Sequence, residues 1–258
     1  MSMPIMPDEN TGALRTLIEA QAGAGLSTDD VLVLMLPLFE QVAALHAQGR
    51  VAALGDLDLV FADSGALALR RPEGEAPTMN IEAIRRVQPQ TASGLNIVGA
   101  LRIDPDHSGQ RNVSDQAIQT EAAAPVDRPV YLPGPASWEM RLGHHDEITD
   151  VFLLGMALAA LACGLDFASD EDLRRFVLLR RDLFRINSRL HPVVVAVIVE
   201  MTHINRHDRA TDVASLATRL RTWRDQPIGV DVDRALEGTT GLESRRTAVL
   251  GHLRDRLF

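Results

Sequence analysis

The sequence predicts a mainly α fold carrying one small β-hairpin, and three observations predict it. A capped, apolar-periodic run lies near the start of the chain, a second group of such runs fills the region after residue 129, and between them two short apolar segments flank a turn.

Ser27 opens the first strong helix. Ser27, Thr28, Asp29 and Asp30 suit a helix N-terminus, where backbone N–H groups lack partners and the dipole favours acids. The apolar run 31–45 follows, and Gly49 is the stop. The runs 57–62 and 66–69 are separated by Asp63-Ser64-Gly65, which is hairpin-turn chemistry. From 72 to 128 the pattern weakens among Pro, Gly, Ser and Asn, so this stretch reads as a long, partly mobile insert. Beyond Pro129 the segments 146–163, 170–179, 192–201 and 212–223 read as helices. Asp170 is placed to cap its helix, and Pro192 fits a first turn, where its missing N–H would have no partner anyway. Residues 226–241 read as a polar linker and 242–257 as a last charged helix. The expected organisation is a lead segment at 1–25, a domain at 26–225 with an insert at 72–128, and a linker and C-terminal helix at 226–258.

Composition narrows the function classes. With 258 residues and 46% apolar content the chain can bury a substantial core. Its formal net charge of −9, without a basic run, argues against direct nucleic-acid binding. The start shows no basic segment followed by an apolar stretch, which points to a cytoplasmic protein. The longest apolar stretch, 151–163, falls short of the roughly 20 residues a membrane helix needs, so no membrane partner is expected. Cys163, the one cysteine, lies in that stretch and reads as a core thiol. All 26 basic residues are arginine, so no chemistry here uses a lysine ammonium.

Several motifs occur in a telling order. Leu45-His46-Ala47-Gln48-Gly49 looks like the end of the helix that leads into a kinase catalytic loop. Glu139, at the end of 133–139, takes the place of the acid of an Ala-Pro-Glu motif. Thr149-Asp150-Val151-Phe152-Leu153-Leu154-Gly155 is similar to the Ser-Asp-Val-Tyr-Ser-Phe-Gly opening of a kinase central helix. Residues 201–209 match Met-Leu-x-x-Asp-Pro-x-x-Arg, with Arg209 as the arginine and Asn205-Arg206 replacing Asp-Pro. Together, over residues 26–224, they resemble the C-terminal lobe of a protein kinase, with its N-lobe absent.

The resemblance implies structural roles. Glu139 and Arg209 would form a buried ion pair, and Asp150 would accept hydrogen bonds from the loop after Gly49. It also implies lost chemistry. Phosphoryl transfer uses a glycine-rich loop, a lysine, an aspartate that orients the hydroxyl, and metal ligands. The catalytic triplet falls on Ala52-Ala53-Leu54 or on Val51-Ala52-Ala53, the Asp-Phe-Gly motif falls on Arg71-Pro72-Glu73, and no lysine exists. The reading is therefore a catalytically inactive, pseudokinase-like regulatory module that acts by protein–protein interaction and needs no cofactor. The alternative is a residual phosphotransferase: Gly55-Asp56-Leu57 resembles the His-Gly-Asp-Leu of small-molecule kinases, and Asp58 would stand in for the metal-binding asparagine.

Residues 129–224 are also similar to the kinase-like N-terminal domain of large bacterial proteins with helicase and nuclease modules, some of them antiphage defence proteins. The implied partner is a protein or a downstream helicase/nuclease module. Without an N-lobe, an apolar face comprising Val51, Ala52, Ala53, Leu54, Leu67 and Leu69 is expected to need a cover: the first 25 residues, the insert, or a partner chain. Two further signals read as structural. His144-His145-Asp146, His191, and His203 with His207 carry metal-type residues, but His-Asp before a helix is a common cap, and no metal is expected. Ser137 lacks the Gly-x-Ser-x-Gly elbow of hydrolases.

Overall fold

The computed structural model describes residues 12–21, 23–52, 54–55, 59–62, 64–87, 118–120 and 124–225. Its axis is helix α5, Glu147–Cys163, in which every residue of 149–163 is buried. A helix that is apolar on all sides must lie inside a core, and here the sequence leaves no solvent-facing stripe. The Asp146 carboxylate accepts the Thr149 N–H at 3.0 Å to start the helix. Gly164 ends it with φ +64; a Cβ there would lie 2.4 Å from the backbone nitrogen of Gly25, so the position excludes any side chain.

Helix α1, Ala13–Ala20, lies across α5, and α2, Thr28–His46, packs beside it. The buried residues of α2 include Val31, Leu32, Met35, Leu38, Phe39, Val42 and Leu45, a three-four spacing that puts them on one face. Ser27 caps α2, its Oγ accepting the Asp30 N–H, and Gly49 turns the chain away at φ +68. The hairpin pairs β1, Leu59–Phe61, with β2, Leu67–Leu69, antiparallel with Leu59 opposite Leu69. Strand β2 packs on α2, where Gln41 Oε1 accepts the Leu69 N–H at 3.0 Å.

Within the insert, α3 spans Ile81–Val87. Beyond it come α4, Trp138–Arg141, then α5, and then α6, Asp170–Leu179. Helix α7, Pro192–Met201, crosses α5 so closely that a Cβ on Gly155 would sit 2.5 Å from Met201 Cβ. Helix α8, Val213–Arg221, packs against both α2 and α7. The architecture is thus mainly α with a two-stranded sheet, and among the described residues no helix is long and apolar enough to cross a membrane.

One expectation changes, the cap of α6, and three features are added. The lead segment contains α1, which joins the core through Ala13 and Leu14. The insert is in part ordered packing, since 73–87 is built against the domain. Ser169, not Asp170, caps α6: its Oγ accepts the Asp172 N–H, which leaves Asp170 in the first turn as a dipole partner. The short helix α4 appears where only a motif was read, because Ser137 accepts the Met140 N–H. The expected linker and charged helix at 226–258 lie outside the described residues, as do the apolar patches around 95–103.

Candidate functional site

Two buried carboxylates organise the face that carries the sequence motifs. The first is Asp150, fully buried in the first turn of α5. Its Oδ2 accepts the Ala52 N–H at 2.6 Å and lies 3.0 Å from His46 Nε2, while its Oδ1 lies 2.6 Å from His145 Nε2. A carboxylate oxygen accepts, so both imidazoles present Nε2–H to it. Asp150 therefore ties the end of α2, the loop after Gly49 and its own helix N-terminus to a single group. Burial pushes the His145 pKa down, but the hydrogen bond and charge of Asp150, with the Asp146 and Glu75 carboxylates beyond, outweigh that and raise it above the usual histidine value.

Over this group runs a strap, residues 73–80. Val51 and Glu75 exchange backbone hydrogen bonds of 2.9 and 2.8 Å, and Thr78 exchanges two more with His145, of 2.9 and 2.8 Å. Arg50 reinforces one end, donating to Glu73 O at 2.5 Å and Gly74 O at 2.7 Å. Gly74, at φ +59, permits the approach, because a Cβ there would lie 2.6 Å from Val51 O. At the other end the Asn80 N–H donates to His144 Nδ1 at 3.0 Å. His144 is buried, with Nε2 3.2 Å from Asp146 Oδ2. Burial would raise the Asp146 pKa; the Arg206 guanidinium paired to it prevails and lowers it.

The second carboxylate is Glu139 in α4. Its Oε1 accepts from Arg209 Nη1 at 2.5 Å, and both side chains are fully buried. Arg209 also donates to His203 O at 2.6 Å and Ile204 O at 3.2 Å, and its guanidinium lies 4.5 Å above the Phe152 ring. Burial lowers the arginine pKa, with the Glu139 charge opposing that shift. Two aromatic side chains grip the same segment: Tyr131 donates its O–H to Thr202 O at 2.7 Å, and Trp138 its indole N–H to Ile204 O at 3.1 Å.

The expected apolar face is not open. Val51, Leu54, Leu67 and Leu69 are 1%, 5%, 0% and 5% exposed. The cover comes from the chain itself: α1 packs on β1 and, through Leu14 and Ile18, lines one groove with Leu54, while the strap covers Val51. As an uncovered contact site the face is corrected to an internal one. Asp56 and Asp58 lie outside the described residues, as does Ala53.

Other candidates resolve into structural tasks. His191 caps α7, its Nδ1 accepting the Val193 N–H, and lies 4.6 Å from the Trp223 ring; burial lowers its pKa. His203 and His207 flank a turn after α7 rather than sharing a helix face. Among the described residues no group of three His, Cys, Asp or Glu side chains is placed to hold a metal ion. Burial pushes the Cys163 thiol up to about 12, which leaves it a core residue without thiolate character at neutral pH. Sequence reasoning missed His46 and His145 as partners of Asp150, and Tyr131 and Trp138 as donors to backbone carbonyls. Comparison of the chain with protein-family models and with curated proteins found no match.

Proposed function

We propose that this chain is a catalytically inactive, protein kinase-like C-lobe that works as a protein-interaction and regulatory module, with a protein partner or a downstream helicase/nuclease module of the same protein as its target. One observation carries the reading most: the buried Asp150 accepts the Ala52 N–H, so the loop after α2 is held by the helix that would hold a kinase catalytic loop, while the side chains at Val51, Ala52 and Leu54 are apolar and buried. A loop fixed this firmly but bearing no acid at those positions has kept positioning without phosphoryl-transfer chemistry. The Glu139–Arg209 pair supports the same reading, since it links the two segments that the resemblance pairs.

Thermal-shift measurement with ATP, GTP, Mg²⁺ and Mn²⁺ tests it, because a ligand that binds only the native state stabilises it by mass action. The expected outcome is no nucleotide-dependent stabilisation and no phosphate transfer. Stabilisation by Mg²⁺-ATP together with γ-phosphate transfer that disappears in Asp56→Ala would replace this reading with the phosphotransferase one.

A further inference from the structure

We propose that His46, Asp150 and His145 form a proton-operated latch that holds the 73–80 strap over the loop carrying Val51, Ala52 and Leu54. The inference goes beyond the function proposed above and does not need it, since it stands on the local geometry and the charges around it.

The strap is joined to the domain by two backbone pairs, Val51 with Glu75 and Thr78 with His145. Both anchors lead back to one buried carboxylate. Ala52, next to Val51, donates its N–H to Asp150 Oδ2, and the His145 that carries the Thr78 pair turns its ring to Oδ1. Whatever changes the hold of Asp150 on these partners therefore changes both attachments together. Gly74, at φ +59, and Gly49, at φ +68, sit where the two segments turn, so each has a hinge-capable residue beside its anchor.

The charges facing the latch give it a direction. Asp150 lies against the His145 ring, Asp146 and Glu75 add negative charge from α5 and the strap, and His46 stands at the other oxygen of Asp150. Arg206 pairs with Asp146, and Arg71 with Glu75 at 2.5 Å, so part of the acidic charge is already compensated. Protonated His145 neutralises the buried Asp150; neutral His145 still donates its Nε2–H but leaves the carboxylate charge without a counterion on that side. A histidine whose folded pKa is raised contributes stability that is fully present below its unfolded pKa and lost as pH rises through the folded one. The latch is therefore tight below the ordinary histidine value and loosens as the pH rises through the raised His145 value. Its opening would bare Val51 and the Leu45 side chain under Gly74.

The test is amide hydrogen exchange across about pH 5.5 to 8.5, corrected for intrinsic rates, which reads local opening residue by residue. Protection of the Thr78 and Ala52 amides is expected to fall over this range, while the Leu216 amide of α8 stays level. In His145→Gln, which keeps a donor but cannot be protonated, the pH dependence should vanish. Because that variant could also disturb packing, the His145 ring is titrated by NMR in the wild-type chain, and its midpoint should coincide with the loss of Thr78 protection. A level Thr78 profile, a fall shared equally by Leu216, or a His145 midpoint separate from the exchange midpoint would overturn the latch.

Discussion

Glu139 and Asp150 are both fully buried carboxylates, yet their charges are met by opposite means, and Glu139 Oε2 has no hydrogen-bond partner among the described residues. Glu139 faces an arginine that stays charged at any physiological pH and that also spends its donors on backbone carbonyls. Asp150 faces two imidazoles and one amide, and the charge of one of those imidazoles, His145, depends on pH. The difference teaches that burial does not decide whether an ionic group is a fixture or a switch; the partner's own pKa does. The Glu139 region is a permanent clamp between α4 and the turn after α7, whereas the Asp150 region joins movable segments through groups that can change charge.

Three experiments sharpen the contrast. The largest effect is expected for Arg209→Ala, which strands a buried carboxylate and removes the donor to the His203 carbonyl; unfolding in urea should show a loss of about 3–5 kcal/mol. A loss below about 1 kcal/mol would mean that Glu139 finds other solvation and that no clamp exists. Asp150→Asn keeps shape and one acceptor, so its cost should be smaller, about 1–3 kcal/mol, from weakened bonds to Ala52, His46 and His145. The smallest effect lies in how these losses vary with pH. The loss in Asp150→Asn should be greater at about pH 6 than at about pH 8, because the raised His145 pKa adds stability that exists below the unfolded value and fades as pH rises through the folded one. The loss in Arg209→Ala should be the same at both. His191, whose pKa burial lowers, contributes with the opposite sign, but it is intact in both variants and cancels from the comparison. Equal pH dependence in the two variants would erase the distinction between clamp and switch.

Much of the fold was legible because its helices announce themselves locally. Ser27 caps α2 and Pro192 begins α7 as their sequences require, and the hairpin turns at Ser64-Gly65. The elements that escaped are short: α1 has eight residues without a side-chain cap, and α4 has four. Helices of that length gain little from propensity and form because a neighbouring surface receives them, which periodicity does not report. At the site, Glu139, Asp150 and Arg209 were readable as motif residues. The histidine partners of Asp150 were not, since His46 lies 104 positions away and His145 looked like half of a metal-type pair. The fate of the apolar face was equally hidden: which of three segments would cover Leu54 is a question of tertiary packing, and α1 answers it.

The packing of α2 on α8 also sets an order of events during synthesis. Contacts of α2 with the later helices join residues far apart in the chain: Thr28 accepts the N–H of His191, the cap of α7, across 163 positions, and Arg221 of α8 pairs with Glu40 across 181. At roughly 5–20 residues per second, α2 leaves the ribosome about 9–35 s before its partner helix exists. During that interval the face with Met35, Leu38, Phe39 and Val42 has no completed core to enter, so the nascent chain must be sheltered or must collapse on α5 first.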